Sequence, residues 1–385
     1  MMAIDLPIIV LTHEFAPTKG GIATFTEEMA RAGSELGNQI EIWAPACQSN
    51  DDSIFPFSIR RVPIKGTQDL SCQFRMALEC FRERKRLSNS IVYITDPGPM
   101  LSLRMLLPLK LIQPSKLALT LHGSEINTFS SNPLSRLSVR HVLKRANCIS
   151  VPSSFSANLL AEKFPFAIGK TVITHGALRA DFQKSTSSKN TDGKVFRILT
   201  VGRLHPRKGQ DRLITAIRHL PKELKSGLEL GIVGSGNKYG FGDGLRALAE
   251  SSEFRIKFYG DVSNDRLREL YAQSDLFAMT SIPYRNSIEG FGLVYLEAAA
   301  HGLPIIANRV GGVEDAVSHG ENGILVAPGD EPSLVKALTR LIKNGNLREK
   351  MGAKGLAWSR SFSWHKAFKT LFEYETMRCD SVELS

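Results

Sequence analysis

What most constrains this chain is a unit that recurs along it: a short apolar run, a loop of glycine and polar residues, then a stretch with helical spacing. Pro7 to Thr12 (PIIVLT) leads into His13, Glu14 and the PTKGG of 17–21, after which Ile22 to Leu36 keeps a helical period. The alternation continues through Gln39 to Ala44, Ile59 to Pro63, a helix near Leu70 to Leu87, Ile91 to Thr95, a helix near Met100 to Ile112, Lys116 to His122, Cys148 to Pro152 and Thr171 to His175. Short apolar runs alternating with helices specify an α/β fold with a mostly parallel sheet covered on both faces. Ligands of such sheets gather at the carboxyl ends of the strands. His122, Gly123, Ser124 and Glu125 stand at one such end. A histidine there is either bonded to a backbone carbonyl or part of a site, and the adjoining Gly123 favours the site.

At 385 residues the chain exceeds what one core serves, so two domains are expected. The text changes at QKSTSSKNTDGK, which is polar and aperiodic, and the strand, loop, helix unit then restarts at Phe196 to Val201. The expected division is 1–183, a linker at 184–194, a second domain at 195–362, a last helix at 363–378 packing back towards the first domain, and a tail at 379–385. Two Rossmann-like domains facing each other across a cleft is the simplest architecture.

Lysine and arginine outnumber the acids 49 to 38, a net charge of +11 that favours anionic partners without choosing among them. The five cysteines are scattered, with no CxxC and no Cys/His spacing for a metal. The start has no basic n-region, and the apolar stretch Leu101 to Ile112 is interrupted by Arg104, Pro108 and Lys110. These features point to a reducing compartment: cytoplasmic, with room for a peripheral place on the inner face of the membrane.

The most informative sixteen residues are Glu289 to Pro304, EGFGLVYLEAAAHGLP. Glu297 sits inside an apolar helical run, and a buried carboxylate without a partner costs several kcal/mol or more. A glycine loop opening a helix collects unpaired N–H groups and the positive end of a dipole, which suits a diphosphate. Glu297, two turns deeper, then accepts from a ribose diol, and Glu289 faces the group on the phosphate. The bland alternative pairs Glu297 with a basic residue and leaves Glu289 an exposed loop acid. Arg203 and Lys208, with Arg207 between them, flank a strand-end loop and are read as neutralising the diphosphate from the other side. No DxD cluster is placed for magnesium, and Gly234 to Gly236 does not continue as a dinucleotide fingerprint, which disfavours an NAD enzyme.

GRLHPRKG at 202–209, the E-x7-E pair Glu289 and Glu297, LHGSE at 121–125, Gly20 and Gly21, and Gly311 and Gly312 together resemble retaining glycosyltransferase family 4, of GT-B fold. The resemblance covers nearly the whole chain and implies sugar transfer from a nucleoside-diphosphate sugar with retained α configuration, using no metal and no separate cofactor. By that similarity Arg203 and Lys208 bind the diphosphate and Glu297 the ribose, while Glu289 and the amides of Phe291 and Gly292 hold the sugar. Gly290 and Leu293 complete that loop, Gly234 belongs to the donor side, and the base sits by Tyr259 to Val262. His122 lies near the sugar and phosphate; Gly20, Gly21 and Glu125 line the acceptor side, with the two glycines also near the donor. His205 departs from the more usual aliphatic residue. The wording GFGLVYLEAAAHGLP is similar to the branch of GDP-mannose-dependent mannosyltransferases acting on phosphatidylinositol mannosides or polysaccharide intermediates. UDP-glucose, UDP-galactose and UDP-N-acetylglucosamine stay open as donors.

The acceptor is expected to be a lipid or glycan. From Ser58 to Arg86 there are eight basic residues against three acids, and Phe74, Leu78 and Phe81 share one helical face. Such a helix either docks on an anionic membrane or packs that face on the sheet, and packing is the reading that sequence favours. A nucleotide-sugar sensor without turnover is the rival of another class; nucleic acid is not expected, since no reader motif is visible. The chain is read as a monomer or homodimer.

Overall fold

The computed structural model describes residues 4–47, 51–183 and 195–374. The expected linker 184–194 and tail 379–385, with the end of the expected last helix, lie outside the described residues. The chain forms two compact units, one of residues up to Gly176 together with those from Ser363 onward, the other Ala177–Phe362.

The first unit is a seven-stranded parallel sheet: β1 (Ile8–Leu11), β2 (Ile40–Pro45), β3 (Ser58–Val62), β4 (Ile91–Ile94), β5 (Lys116–Thr120), β6 (Cys148–Val151) and β7 (Thr171–Ile173). Their order is β3-β2-β1-β4-β5-β6-β7, with Ile8 opposite Ile40 on one side and Ile91 on the other. β1, β4 and β6 are buried at every position, as strands covered on both faces must be. One face is packed by Cys72, Met76, Leu103, Val139, Leu143 and Leu160 from the intervening helices. On the other face the first helix, Gly21–Glu35, meets the last, Trp364–Phe372. The Trp364 ring stands edge-on to Phe25 at 5.4 Å and Phe372 edge-on to Tyr93 at 5.3 Å. Gly33 makes this approach possible, because a Cβ there would lie 2.3 Å from the Phe368 ring.

The second unit is a six-stranded parallel sheet: β8 (Phe196–Val201), β9 (Leu228–Val233), β10 (Arg255–Gly260), β11 (Leu276–Met279), β12 (Ile305–Asn308) and β13 (Gly323–Val326). The order is β10-β9-β8-β11-β12-β13. Apolar clusters fill both faces, one around Leu213, Ile217 and Leu338, the other around Tyr271, Leu296 and Ala299. In each unit the strand order reverses once, between β1 and β4 and between β8 and β11, and loops diverging at such a point leave a crevice.

Two expectations are corrected. The helix expected near 100–112 is Pro97–Leu103 followed by turns, because Pro108 has no N–H to continue the ladder and Lys110 takes a positive φ of 53°. The helix Leu70–Arg82 does not pack its Phe74, Leu78, Phe81 row on the sheet. It buries Cys72, Gln73, Met76, Ala77 and Cys80, and the aromatic row faces outward, Phe74 being 64% exposed. Among the described residues no helix is long and apolar enough to cross a membrane.

Candidate functional site

The reversal between β8 and β11 brings two loops together. The β8 loop turns at Pro206–Lys208 and leaves through Gly209, whose φ of 69° suits glycine. A Cβ on Gly209 would lie 2.0 Å from the Thr280 carbonyl, so the β11 loop can pass against it only without a side chain. Thr280 donates its hydroxyl to Gly209 O at 2.6 Å, and Ile282 N donates to Arg207 O at 2.8 Å. Asn308, at the end of β12, donates to the carbonyls of Thr280 and Ser281 at 3.1 Å each.

This clamp sets a charge cluster. Glu289 is buried, and its Oε2 accepts from Arg207 Nη1 at 2.7 Å, Lys208 Nζ at 2.8 Å and Ser281 Oγ at 3.2 Å. Burial alone would raise the Glu289 carboxyl, but Lys208 and Arg207 outweigh it and hold the group down at about 2. Glu289 is therefore neither an exposed loop acid nor an unpaired one. Its carbonyl accepts from Gly312 N at 2.8 Å, and a Cβ on Gly311 would lie 2.1 Å from that same oxygen. The Gly311, Gly312 pair thus holds the Glu289 backbone.

Beyond Glu289 the chain passes Gly290, the buried Phe291, and Gly292 at φ 91°, where the helix Leu293–Ala300 begins with no side-chain cap. Its first N–H groups remain for a ligand or solvent. On that helix Glu297 is half-buried and accepts from the Tyr271 hydroxyl at 2.9 Å. Burial pushes the Glu297 carboxyl up to about 7, an effect that the Tyr271 bond and Arg179 only partly offset. Tyr271 in turn stacks on His301 at 5.1 Å.

Arg203 is exposed and forms no ion pair among the described residues, so of the three cations in the loop it alone does not pair with Glu289. Gly234 has a structural use: a Cβ there would lie 2.2 Å from the Gly202 carbonyl. Val262 is half-buried against the Tyr271 cluster.

In the first unit, His122 is half-buried at the end of β5. Its Nε2 donates to the Thr95 carbonyl at 2.8 Å, and its ring meets Phe25 edge-on at 5.3 Å. The buried Glu125 carboxylate accepts from His122 N and braces the loop. Gly20 is extended and Gly21 opens a helix. A Cβ at Gly20 would meet one atom at 3.9 Å and one at Gly21 would meet none, so no protein contact requires glycine at either position. Asp96, after β4, accepts from Thr12 Oγ1 at 2.7 Å and His13 N at 2.6 Å, tying the two loops at this unit's reversal point.

Sequence reasoning placed Arg207 only as a neighbour of the diphosphate residues and missed Ser281, Tyr271, Asn308 and Asp96. No local signal marks these four, because each acts on a residue more than two dozen positions away or, for Ser281, across a loop.

Two parallel Rossmann-like sheets, each with loops gathered at the point where its strand order reverses, make this a fold of GT-B type. The family Glycosyltransferase Family 4 matches residues 19–181 and Glycosyl transferases group 1 matches 181–358. The chain belongs to glycosyltransferase family 4, and is a retaining hexosyltransferase that uses a nucleotide sugar. It is 27% identical over 372 residues to the GDP-mannose-dependent alpha-(1-6)-phosphatidylinositol monomannoside mannosyltransferase of Mycobacterium tuberculosis, covering 91% of this chain and 93% of the relative. It is also 27% identical over 385 residues to a GDP-mannose-dependent monoacylated alpha-(1-6)-phosphatidylinositol monomannoside mannosyltransferase of Corynebacterium glutamicum, covering 94% and 96%. The fold matches that of Anabaena Alr3699/HepE, solved with UDP-glucose, at a TM-score of 0.76 and 18% identity over 96% of this chain and 98% of that one.

Proposed function

We propose that the protein transfers mannose in α linkage from GDP-mannose to a lipid-linked acceptor, with its first unit lying on an anionic membrane surface. The donor rests on the similarity to the mycobacterial and corynebacterial enzymes. The acceptor rests on one observation about the outer face of the first unit. Leu70, Phe74, Leu78 and Phe81 of one helix, Met105, Leu109 and Leu111 of the turns after the next, and Leu134 and Leu137 of the helix Pro133–Arg145 are all exposed. These are nine of fifteen exposed large apolar side chains among the described residues, and the helices that carry them touch in series. Across 70–87, 97–113 and 133–145 eleven lysines and arginines accompany them against two glutamates, both paired with Arg60. Large apolar patches on a soluble surface mark interaction sites, and the excess of cations selects an anionic, apolar partner such as a lipid leaflet.

In the reaction, Arg203, Arg207, Lys208 and the open start of the helix at Leu293 stabilise the departing diphosphate. A phosphate oxygen on the same face takes the proton of the attacking hydroxyl, so no side-chain nucleophile is needed. The buried pair of cations on Glu289 keeps positive charge oriented before the substrate arrives, which is the form in which electrostatic groups contribute most. The family resemblance assigns His122 to the sugar, Glu297 to the ribose and Gly20 and Gly21 to the acceptor, and in this reading the work is done in the cytoplasm at the membrane.

A hydrolysis and thermal-shift panel of GDP-mannose, UDP-glucose, UDP-galactose and UDP-N-acetylglucosamine tests the donor; selection of a UDP-sugar would overturn it. Transfer to phosphatidylinositol monomannoside in phosphatidylglycerol vesicles tests the acceptor, and transfer only to soluble mannosides would overturn that half.

A further inference from the structure

Three loops at the carboxyl ends of β8, β9 and β11 each contribute one aromatic ring to a common patch. His205 meets Tyr284 edge-on at 5.3 Å and Tyr239 at 6.5 Å, and the two tyrosine rings stand 6.3 Å apart. The Arg285 guanidinium lies 5.0 Å from the Tyr239 ring centre and 5.5 Å from that of Tyr284, and its Nη1 donates to the Tyr239 hydroxyl at 3.0 Å. Lys238 Nζ stands 5.3 Å from the Tyr239 ring.

The backbone is strained to display this patch. Among the described residues three non-glycines have positive φ, and two of them are Tyr239 at 61° and Arg285 at 52°. Bulky side chains avoid this region, and strain of this type persists where it serves a site. Burial does not repay it, since Tyr239 is 57% exposed and Arg285 is exposed too.

The charge is also unspent. Arg207 and Lys208 share the single carboxylate of Glu289, and Arg203, Lys238 and Arg285 form no ion pair among the described residues. Burial, and then Arg207, Arg203 and Lys238, hold the His205 ring below the usual imidazole range, in keeping with a local excess of cations.

We propose that His205, Tyr239, Tyr284 and Arg285 form a platform for a phosphorylated polyol ring of the acceptor, a hexose or cyclitol that carries a phosphate. The rings take its C–H face, and Arg285 with Lys238 takes the phosphate. A free phosphate has no use for three rings, and a neutral sugar has none for unpaired cations. The patch adjoins the donor loop, since His205 Nδ1 accepts from Arg207 N at 3.1 Å. A ring seated here lies beside the departing diphosphate. The inference deepens the transferase reading, on which it rests, by naming the chemistry of the acceptor subsite.

The test is saturation-transfer NMR on the full chain with whichever of GDP or UDP binds it, held at saturation. Mannose 6-phosphate and myo-inositol 1-phosphate are the probes, with mannose and inorganic phosphate as controls. Ring-proton transfer to the phosphorylated probes is expected in the native chain, falling at least fivefold in Tyr239→Ala, Tyr284→Ala and Arg285→Ala and recovering in Tyr239→Phe. The thermal shift given by the nucleoside diphosphate, which reports the donor site and the fold, should not change among these variants. Equal signals in native chain and variants, signals as strong for mannose, or a lost nucleotide shift assigning the rings to the donor base would each overturn the platform. The binding readout needs no turnover, so it stands apart from a failure of GDP-mannose as donor.

Discussion

The Glu289 carboxylate lies 2.8 Å from the Lys208 ammonium across eighty-one positions of sequence, in a setting where both side chains are nearly removed from solvent. Arg207 joins the same oxygen at 2.7 Å. Breaking a buried pair leaves an uncompensated charge, which typically costs about 3–5 kcal/mol. Glu289→Gln should therefore lower unfolding stability by an amount on that order, read by urea denaturation, and reduce transfer by ~100-fold or more. The native carboxyl titrates near 2 when folded and near 4.5 when unfolded, so its contribution is present above pH 4.5 and is lost as pH falls through about 2. The acid limb of the stability curve should flatten in the variant.

Glu297 behaves oppositely. Its folded carboxyl is raised to about 7 from 4.5, so between those values the folded chain keeps a proton that the unfolded chain has released. Stability from this group falls as pH rises from 4.5 to 7 and is level above. Glu297→Gln should gain on the native chain across that window in melting temperature, with the gap constant from pH 7 upward. A gap independent of pH would remove the assignment.

Gly311 should not accept alanine. Its φ of 57° and the Glu289 carbonyl 2.1 Å from a built Cβ combine strain with overlap, together about 2–4 kcal/mol. Gly311→Ala should depress both melting temperature and turnover, whereas Gly244→Ala, inside the helix Phe241–Glu250 where a Cβ meets nothing within 4 Å, should raise the melting temperature slightly and leave turnover unchanged.

Arg203→Ala should separate charge from stability. The side chain is exposed and holds no ion pair among the described residues, so the melting temperature should move by less than about 0.5 kcal/mol equivalent. Turnover should fall ~100-fold if the guanidinium meets the diphosphate. Near-native turnover would remove that role.

The outward face of the first unit makes a prediction about vesicles. Basic residues near an anionic leaflet contribute about 1 kcal/mol each, so Lys110→Ser, Arg140→Ser and Lys144→Ser together should weaken binding to phosphatidylglycerol vesicles ~100-fold. Leu134→Ser with Leu137→Ser should weaken it further, and raised salt should mimic the charge variants only. Sedimentation reads all three.

Much of the fold was legible because it is written in local pattern. Runs such as Ile8–Leu11 and Ile91–Ile94 are buried at every position, as strands covered on both faces must be, and glycine or polar residues mark where they end. The loops at 202–209 and 289–292 were legible for the same reason, since glycine and charge at a strand end have few uses. The outward turn of Phe74, Leu78 and Phe81 was not: the period locates an apolar row but cannot say which of two rows meets the sheet, and Cys72, Met76 and Cys80 proved the better fit.

By itself, then, the sequence determined the parallel sheets, the restart of the pattern after the polar segment, and the glycine-rich and charged loops at the strand ends, because burial period and turn chemistry act over a few residues. Only the tertiary structure decided that Arg207 and Lys208 meet Glu289, that Gly311 supports its carbonyl, and that His205, Tyr239 and Tyr284 share one patch. Those contacts depend on β8 lying beside β11 and β9, and strand order is a property of the whole packed sheet that no single stretch encodes.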